Sequence, residues 1–234
     1  MTSEPPATDN NPPSIQRIRR PTTQETVVEA LQQAILTGHF KPGEHLRQDA
    51  IAEQMGVSRV PVREALNVLR AEGQLDYSPH RGYRVSRLSQ EEVEEINIIR
   101  EMLEGEAIRR AVEKLDEDVI DDLVVLNRQL RKAHRNNDLT TFIRLNQEFH
   151  FLIFQQAGLP RLMQMIEGLW RVANGYRSGV FGNTANRERM LEEHDALIEA
   201  LEAGDAERAV VIMENHRNSA ADTLLSLTSP EDDT

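Results

Sequence analysis

The chain has 234 residues, 39% of them apolar and 4% aromatic, with no cysteine and a formal net charge of −12. That is material for one large or two ordinary cores, and it excludes disulfides and thiolate metal sites outright. No apolar run approaches the ~20 residues of a membrane span, and the opening "MTSEPPATDNNPP" lacks the basic-then-apolar order of a signal peptide, so the expectation is a soluble, cytoplasmic protein with no membrane partner.

The charge is unevenly placed. Residues 14–88 carry 11 basic and 8 acidic side chains, whereas residues 89–234 carry 16 and 29. A mildly basic segment on a strongly acidic remainder suits a polyanion-binding module joined to something else. Total acidity does not argue against nucleic acid, because phosphate contacts depend on charge at the docking face.

Residues 1–13 and 228–234 read as disordered tails, and "QRIRR" at 16–20 as a short basic arm on a solvated flank. From Glu25, the apolar residues Val28, Leu31 and Ile35 recur at helical spacing and stop near Gly38. "KPGEHL" (41–46) reads as a turn. A second short helix carries Ile51, Ala52 and Met55 and ends at Gly56. Ser58 is a good N-cap for a third, with Pro61 in its first turn and Val62, Ala65, Leu66 and Leu69 as its inner stripe. "LDYSPHRGYRV" alternates around a Pro and Gly turn, the pattern of a β-hairpin. From Gln90 onward only helical periods occur, at about 90–115, 118–136, 139–157, 160–178, 187–203 and 205–226, which predicts an antiparallel six-helix bundle. The fold class is therefore mainly α, with three helices and a hairpin over 14–88 and the bundle over 89–227.

Short helix, glycine turn, capped helix and hairpin is the order of a winged helix-turn-helix. With the stripe of the third helix packed inward, Arg59, Val60, Arg63, Asn67 and Arg70 are left outward. Arginine pairs bidentately with guanine edges or grips phosphate, and the first turn of a recognition helix is where such contacts concentrate. Ser58 has two candidate roles, as cap and as phosphate contact. Arg47, and Arg81 with Gly82 at the hairpin tip, are candidates for backbone or minor-groove contacts. The competing reading is an ordinary amphipathic helix with exposed arginines.

The stretch "PGEHLRQDAIAEQMGVSRVPVREALNVLRAEGQL…RGYRV" resembles the DNA-binding domain of the GntR family of bacterial transcription regulators over roughly residues 23–87. One departure is "IA" at 51–52, where the family usually shows LA. The resemblance implies a dimeric winged helix-turn-helix protein on a short palindromic operator in double-stranded DNA. It also implies contacts from Ser58, Arg59, Val60, Pro61, Arg63 and the wing around Arg81 and Gly82.

In the acidic half, His150, His194 and His216 each lie on the apolar stripe of their own helix, while His134 follows Arg131 and Lys132 on what reads as a solvated face. Asn146 precedes His150 by one turn and shares its helix face. Three inward histidines could meet in a bundle, where neutral imidazole binds first-row transition metals. The alternative is three core histidines, each hydrogen-bonded to backbone or carboxylate.

"NQEFHFLIFQQAG", "EEHDALIEALEAGD" and "ENHRNSA" are together similar to the FadR-type C-terminal (FCD) ligand-binding domain. The resemblance implies a divalent metal held by Asn146, His150, His194 and His216. It further implies a small organic acid bound at that metal and held by an arginine of the first bundle helix, for which Arg100 is the candidate; its ordinary alternative is an ion pair with Glu104. Two departures stand out: Asn146 where many members have Asp, and "AGLPRL" where an Asn usually follows the Gly. Nitrogen and oxygen donors favour zinc and also allow Ni, Mn or Fe.

Together the two resemblances imply a repressor that is not an enzyme, with the segment at 87–92 as its hinge. The alternatives are a metal-dependent hydrolase, although no H-E-x-x-H motif is present, and a ligand-free structural helical dimer.

Overall fold

A computed structural model describes residues 21–228. The readings of residues 1–13, the arm at 16–20 and residues 229–234 fall outside the described residues.

Helix α1 (Thr23–Leu36) starts at a full capping box, in which Thr22 Oγ1 accepts from the Glu25 N–H and the Glu25 carboxylate accepts from the Thr22 N–H. Strand β1 (His45–Leu46) and helix α2 (Gln48–Met55) follow, and α2 stops at Gly56, whose φ of 64° places it in the left-handed conformation that closes helices tightly. Helix α3 (Arg59–Ala71) comes next, then the hairpin of β2 (Leu75–Ser78) and β3 (Gly82–Val85). The three strands form an antiparallel sheet in the order β1-β3-β2, with Tyr77 opposite Tyr83 across the hairpin and Leu46 opposite Tyr83 on the other side. The turn expected over 41–46 thus ends in a strand, but two residues are too few to show an alternation.

Val27, Leu31 and Ile35 of α1 close on Val62, Leu66 and Leu69 of α3, with Val85 of the wing beneath them. Each such fully buried aliphatic side chain is worth about 1.5–3 kcal/mol.

The C-terminal half holds seven helices among the described residues, not six: α4 (Gln90–Val112), α5 (Glu117–Arg135), α6 (Leu139–Gln155), α7 (Pro160–Val172), α8 (Asn174–Gly182), α9 (Thr184–Glu202) and α10 (Ala206–Thr228). The single helix predicted over 160–178 is broken at Ala173, where ψ has opened to −2°, away from the helical value near −42°. Helix α9 begins earlier than predicted because Asn183 caps it, its Oδ1 accepting from the Ala185 N–H. The last helix runs to Thr228, one residue into the span read as a tail. Phe142, Phe149 and Ile153 of α6, Leu123 and Leu130 of α5 and Ile108 of α4 fill a second core, while α10 lies along α4 and α9.

The two units meet through the short helix α8. A Cβ on Gly175 would lie 3.2 Å from Val85 and within 3.8 Å of Pro42 and Ile35, so glycine permits the close approach. The expected hinge at 87–92 is short: Leu88 is buried against Val93 and Tyr176, and Ser89 opens α4 with a capping box to Glu92.

Candidate effector and metal site, and candidate nucleic-acid interface

Helix α6 supplies Asn146 and His150, α9 supplies His194 and α10 supplies His216, all of them buried. One nitrogen from each imidazole can be chosen so that all three lie within 4.8 Å of one another. His150 Nε2 and His194 Nε2 are 3.3 Å apart. Two ligands on a tetrahedral ion at the ~2.0–2.1 Å of a metal–imidazole bond lie about 3.3–3.4 Å apart, so the pair already has the required spacing. Asn146 Oδ1 is buried with no hydrogen-bond partner.

The surroundings orient this donor set. His216 Nδ1 lies 2.8 Å from Glu193 Oε2, which fixes the N–H on Nδ1 and leaves Nε2 as a lone-pair donor. Phe149 stacks on the His194 ring at 4.1 Å. Burial holds the His150 and His194 pKa values well below the usual imidazole value, with the neighbouring His216 acting in the same direction. Neutral imidazole is the ligand form. The residues fit a divalent transition metal: three imidazoles and an amide oxygen are ligand types for such an ion, with the Glu193 carboxylate standing behind His216.

Beside these donors lies a cavity of about 70 Å³ bordered by Asn146, His216, Arg100, Trp170, Arg177 and Arg217, among others. Arg100 makes the ion pair expected as its ordinary role, Nε to Glu104 Oε1 at 2.7 Å, and lines the cavity as well. The same carboxylate oxygen accepts from Trp170 Nε1 at 2.7 Å. Arg217 Nη1 approaches the other oxygen of Glu104 at 3.6 Å, and its Nη2 approaches Glu101 at 3.5 Å. The guanidinium groups of Arg100 and Arg177 both lie over the Trp170 ring, 4.7 and 4.2 Å from its centroid.

His134 is not on a solvated face. It is largely buried under α9, with Arg187 Nε 3.3 Å from its Nδ1 and Glu188 3.6 Å from its Nε2.

The second surface is the outer face of α3 and the wing. Arg47, Ser58, Arg59, Val60, Arg63 and Arg81 are exposed, while Pro61 and Gly82 are half-buried. Ser58 occupies the N-cap position, yet its hydroxyl makes no capping bond. Of its two candidate roles the cap is therefore not realised in this structure. Arg59 Nε pairs with Asp49 of α2 at 2.9 Å across open solvent, an interaction that sequence reading missed. Tyr83 of the wing donates its hydroxyl to Asn67 Oδ1 at 2.6 Å, tying β3 to α3.

Sequence reading also missed the cavity's far wall. Arg177 falls in the tail of the helix that periodicity predicts over 160–178, and the "ANG" break that turns it inward gives no periodic signal. Arg217 directly follows His216, and Trp170 is the chain's single tryptophan. Either could have marked the site, since large polar-tipped residues on an apolar stripe are seldom there for packing alone.

A winged helix-turn-helix joined to a helical bundle with a polar, ligand-sized centre defines a regulator that reads DNA with one half and a small molecule with the other. Residues 23–85 match the family described as bacterial regulatory proteins, gntR family, and residues 95–219 match the FCD domain. The chain belongs to the GntR family, in its FCD-containing branch. Among its relatives, the HTH-type transcriptional regulator McbR of Escherichia coli is 34% identical over 179 residues, spanning 76% of this chain and 81% of its own. The uncharacterized HTH-type transcriptional regulator YdhC of Bacillus subtilis is 31% identical over 183 residues, 76% of this chain and 80% of its own. The solved structure of E. coli McbR/YncC superposes with a TM-score of 0.81 at 28% identity, covering 89% of this chain and 99% of that one. These are regulators rather than enzymes, which removes the hydrolase alternative. No helix among the described residues is long and apolar enough to cross a membrane.

Proposed function

We propose that this transcription regulator is a cytoplasmic, homodimeric repressor that leaves its operator when a small carboxylate binds at the metal site of its bundle. In this reading residues 14–88 bind DNA and residues 89–227 sense the effector and dimerise. The observation that carries it is the juxtaposition of an uncharged donor set, Asn146, His150, His194 and His216, with the arginine-lined cavity next to it. Those four residues would hold a divalent ion, with zinc favoured, and the bound ion would act as a Lewis acid toward a carboxylate. Arg100 would hold the acid from the opposite side. Arg59 and Arg63 would engage bases and phosphate, Val60 and Pro61 the base or sugar edges, and Ser58, Arg47, Arg81 and Gly82 the backbone or minor groove, on each half of a short palindromic operator.

Operator binding and release then form a two-state equilibrium. The acid shifts it only by as much as it prefers the released arrangement of the two DNA-binding units.

Elemental analysis of the purified protein, followed by operator titration before and after dialysis against chelator, tests the reading. A stoichiometric metal whose removal abolishes the effector response and spares operator affinity supports it. In the same assay, His194→Ala should lose both metal and response; a variant still released by the acid would rule out the metal as its anchor. Metal-free protein with a full response would leave the histidines as core residues of a helical dimer.

A further inference from the structure

Arg177 presents a problem of charge. Its residue is 7% exposed, its Nε has no hydrogen-bond partner, and its guanidinium forms no ion pair among the described residues. An ion removed from water without a counter-charge is costly, and the Trp170 face 4.2 Å away offsets this only in part, so a group retained in this state favours an anion that arrives from outside. Burial brings its pKa down to about 9, with Arg100 pushing the same way and Glu104 opposing. At neutral pH the group is still a cation.

The buried carboxylate of Glu104 opposes that shift but forms no ion pair with Arg177, and its second oxygen is itself without a hydrogen-bond partner. Glu104 already takes Arg100 and Trp170 on one oxygen and faces Arg217 with the other. Around the cavity, then, Arg100, Arg177 and Arg217 stand against a single fully buried carboxylate, with Glu101 half-exposed at the edge. The nearby donors, three imidazoles and an amide, add no negative charge. A monocarboxylate seated at the metal and Arg100 would leave Arg177 without a counter-charge of its own.

Resting on the carboxylate-effector reading above, the geometry points to Arg177 as a second anion anchor and to a compact dianionic acid, rather than a monocarboxylate, as the natural effector. The two guanidinium carbons, being 4.7 and 4.2 Å from one indole centroid, can be no farther apart than the sum of those distances, which a short diacid spans. The cavity of about 70 Å³ is large enough to hold several water-sized groups. Arg177 also sits next to Tyr176, which bonds the Leu88 N–H, and two residues from Gly175, which lies on Val85 of the wing. An anion that seats Arg177 therefore acts on the helix that bears on the DNA-binding unit.

The test uses the full-length protein supplied with zinc and the fluorescence of Trp170, the chain's single tryptophan. It is titrated with succinate and with butyrate, which has the same four-carbon chain and one charge fewer. Succinate should bind about tenfold more tightly or better, the value of an added charge-assisted hydrogen bond. Arg177→Gln should bring succinate to the level of butyrate and leave butyrate unmoved. Should that variant fail to fold, Arg177→Lys, which keeps charge but loses the bidentate fork, should reduce the preference several-fold. Equal binding of the two acids by the unmodified protein, or a succinate preference that survives the folded variant, overturns the dianion inference alone. Binding of neither acid would overturn the carboxylate reading beneath it as well. A phosphonate analogue of succinate, run alongside, shows whether the second headgroup is carboxyl or phosphoryl.

Discussion

The phenolic oxygen of Tyr176 accepts the backbone N–H of Leu88 at 2.8 Å, in a buried bond between α8 and the segment that joins the two units. Burial of the phenol raises its pKa, with the Leu88 N–H acting against that shift, so it stays protonated and serves as acceptor across the working range. Tyr176 lies between Gly175, which touches the wing, and Arg177, which faces the cavity. Tyr176→Phe would leave the Leu88 N–H buried without a partner, a loss of about 1–3 kcal/mol, seen as a lower melting temperature. If this bond carries the signal, operator affinity without effector should stay within a few-fold of the parent while the effector-induced release shrinks. A destabilised variant with an undiminished release would show that the signal runs by another route.

Arg63 projects from α3 with no hydrogen bond or ion pair from its side chain among the described residues, and it is open to solvent. Arg63→Ala should therefore leave the fold and its melting temperature unchanged. Operator affinity should fall by about 1–3 kcal/mol if the side chain reads a base, and the slope of log affinity against log salt should drop by about one if it neutralises a phosphate. Titration at several salt concentrations separates the two contacts, and unchanged affinity would remove Arg63 from the interface.

Arg59 is committed before DNA arrives, because Asp49 holds it at 2.9 Å with both side chains exposed. Such a surface pair has little intrinsic strength, yet its carboxylate competes with phosphate for the same guanidinium and repels the backbone. Asp49→Ala should raise operator affinity by a few-fold, with a larger effect at low salt, where screening is weak. A fall in affinity would mean that the pair positions Arg59 for contact.

The DNA-binding half was legible because its signals are local. Gly56, the Ser58 position, the stripe of Val62, Ala65, Leu66 and Leu69 and the hairpin turn each report on neighbours within a few residues. The three histidines were legible for the same reason, each lying on the apolar face of a strongly periodic helix. The cavity's opposite wall was not. Arg177 reaches it only because the chain breaks at Ala173 and turns Gly175 onto Val85, and that break is set by packing between units far apart in sequence. Glu104 illustrates the limit from the other side. Its spacing to Arg100 was readable, whereas its shared contacts with Trp170 and Arg217 depend on how α4, α7 and α10 meet. The idle hydroxyl of Ser58 and the pairing of Arg59 with Asp49 are likewise tertiary choices that cap statistics do not contain.

The buried histidines also set a pH dependence. In the metal-free protein, burial first and the neighbouring His216 second hold the pKa values of His150 and His194 well below the ordinary value of 6.5. The unfolded chain, where these groups have ordinary values, binds more protons than the folded one once pH falls below that point. Stability contributed by the neutral pair is therefore fully present above about pH 6.5 and is lost as pH falls toward the depressed folded values. Two protons set an upper slope of about 2.7 kcal/mol per pH unit. Urea unfolding of chelator-treated protein between pH 7.5 and 5.5 measures it, and His194→Leu should remove about half of the dependence. Added zinc should stabilise the protein above this window and lose its effect within it, because protons and metal compete for the same nitrogens. A stability curve flat from pH 7.5 to 5.5 would mean that solvent reaches the imidazoles and that the site is more open than its packing against Phe149 and Trp170 implies.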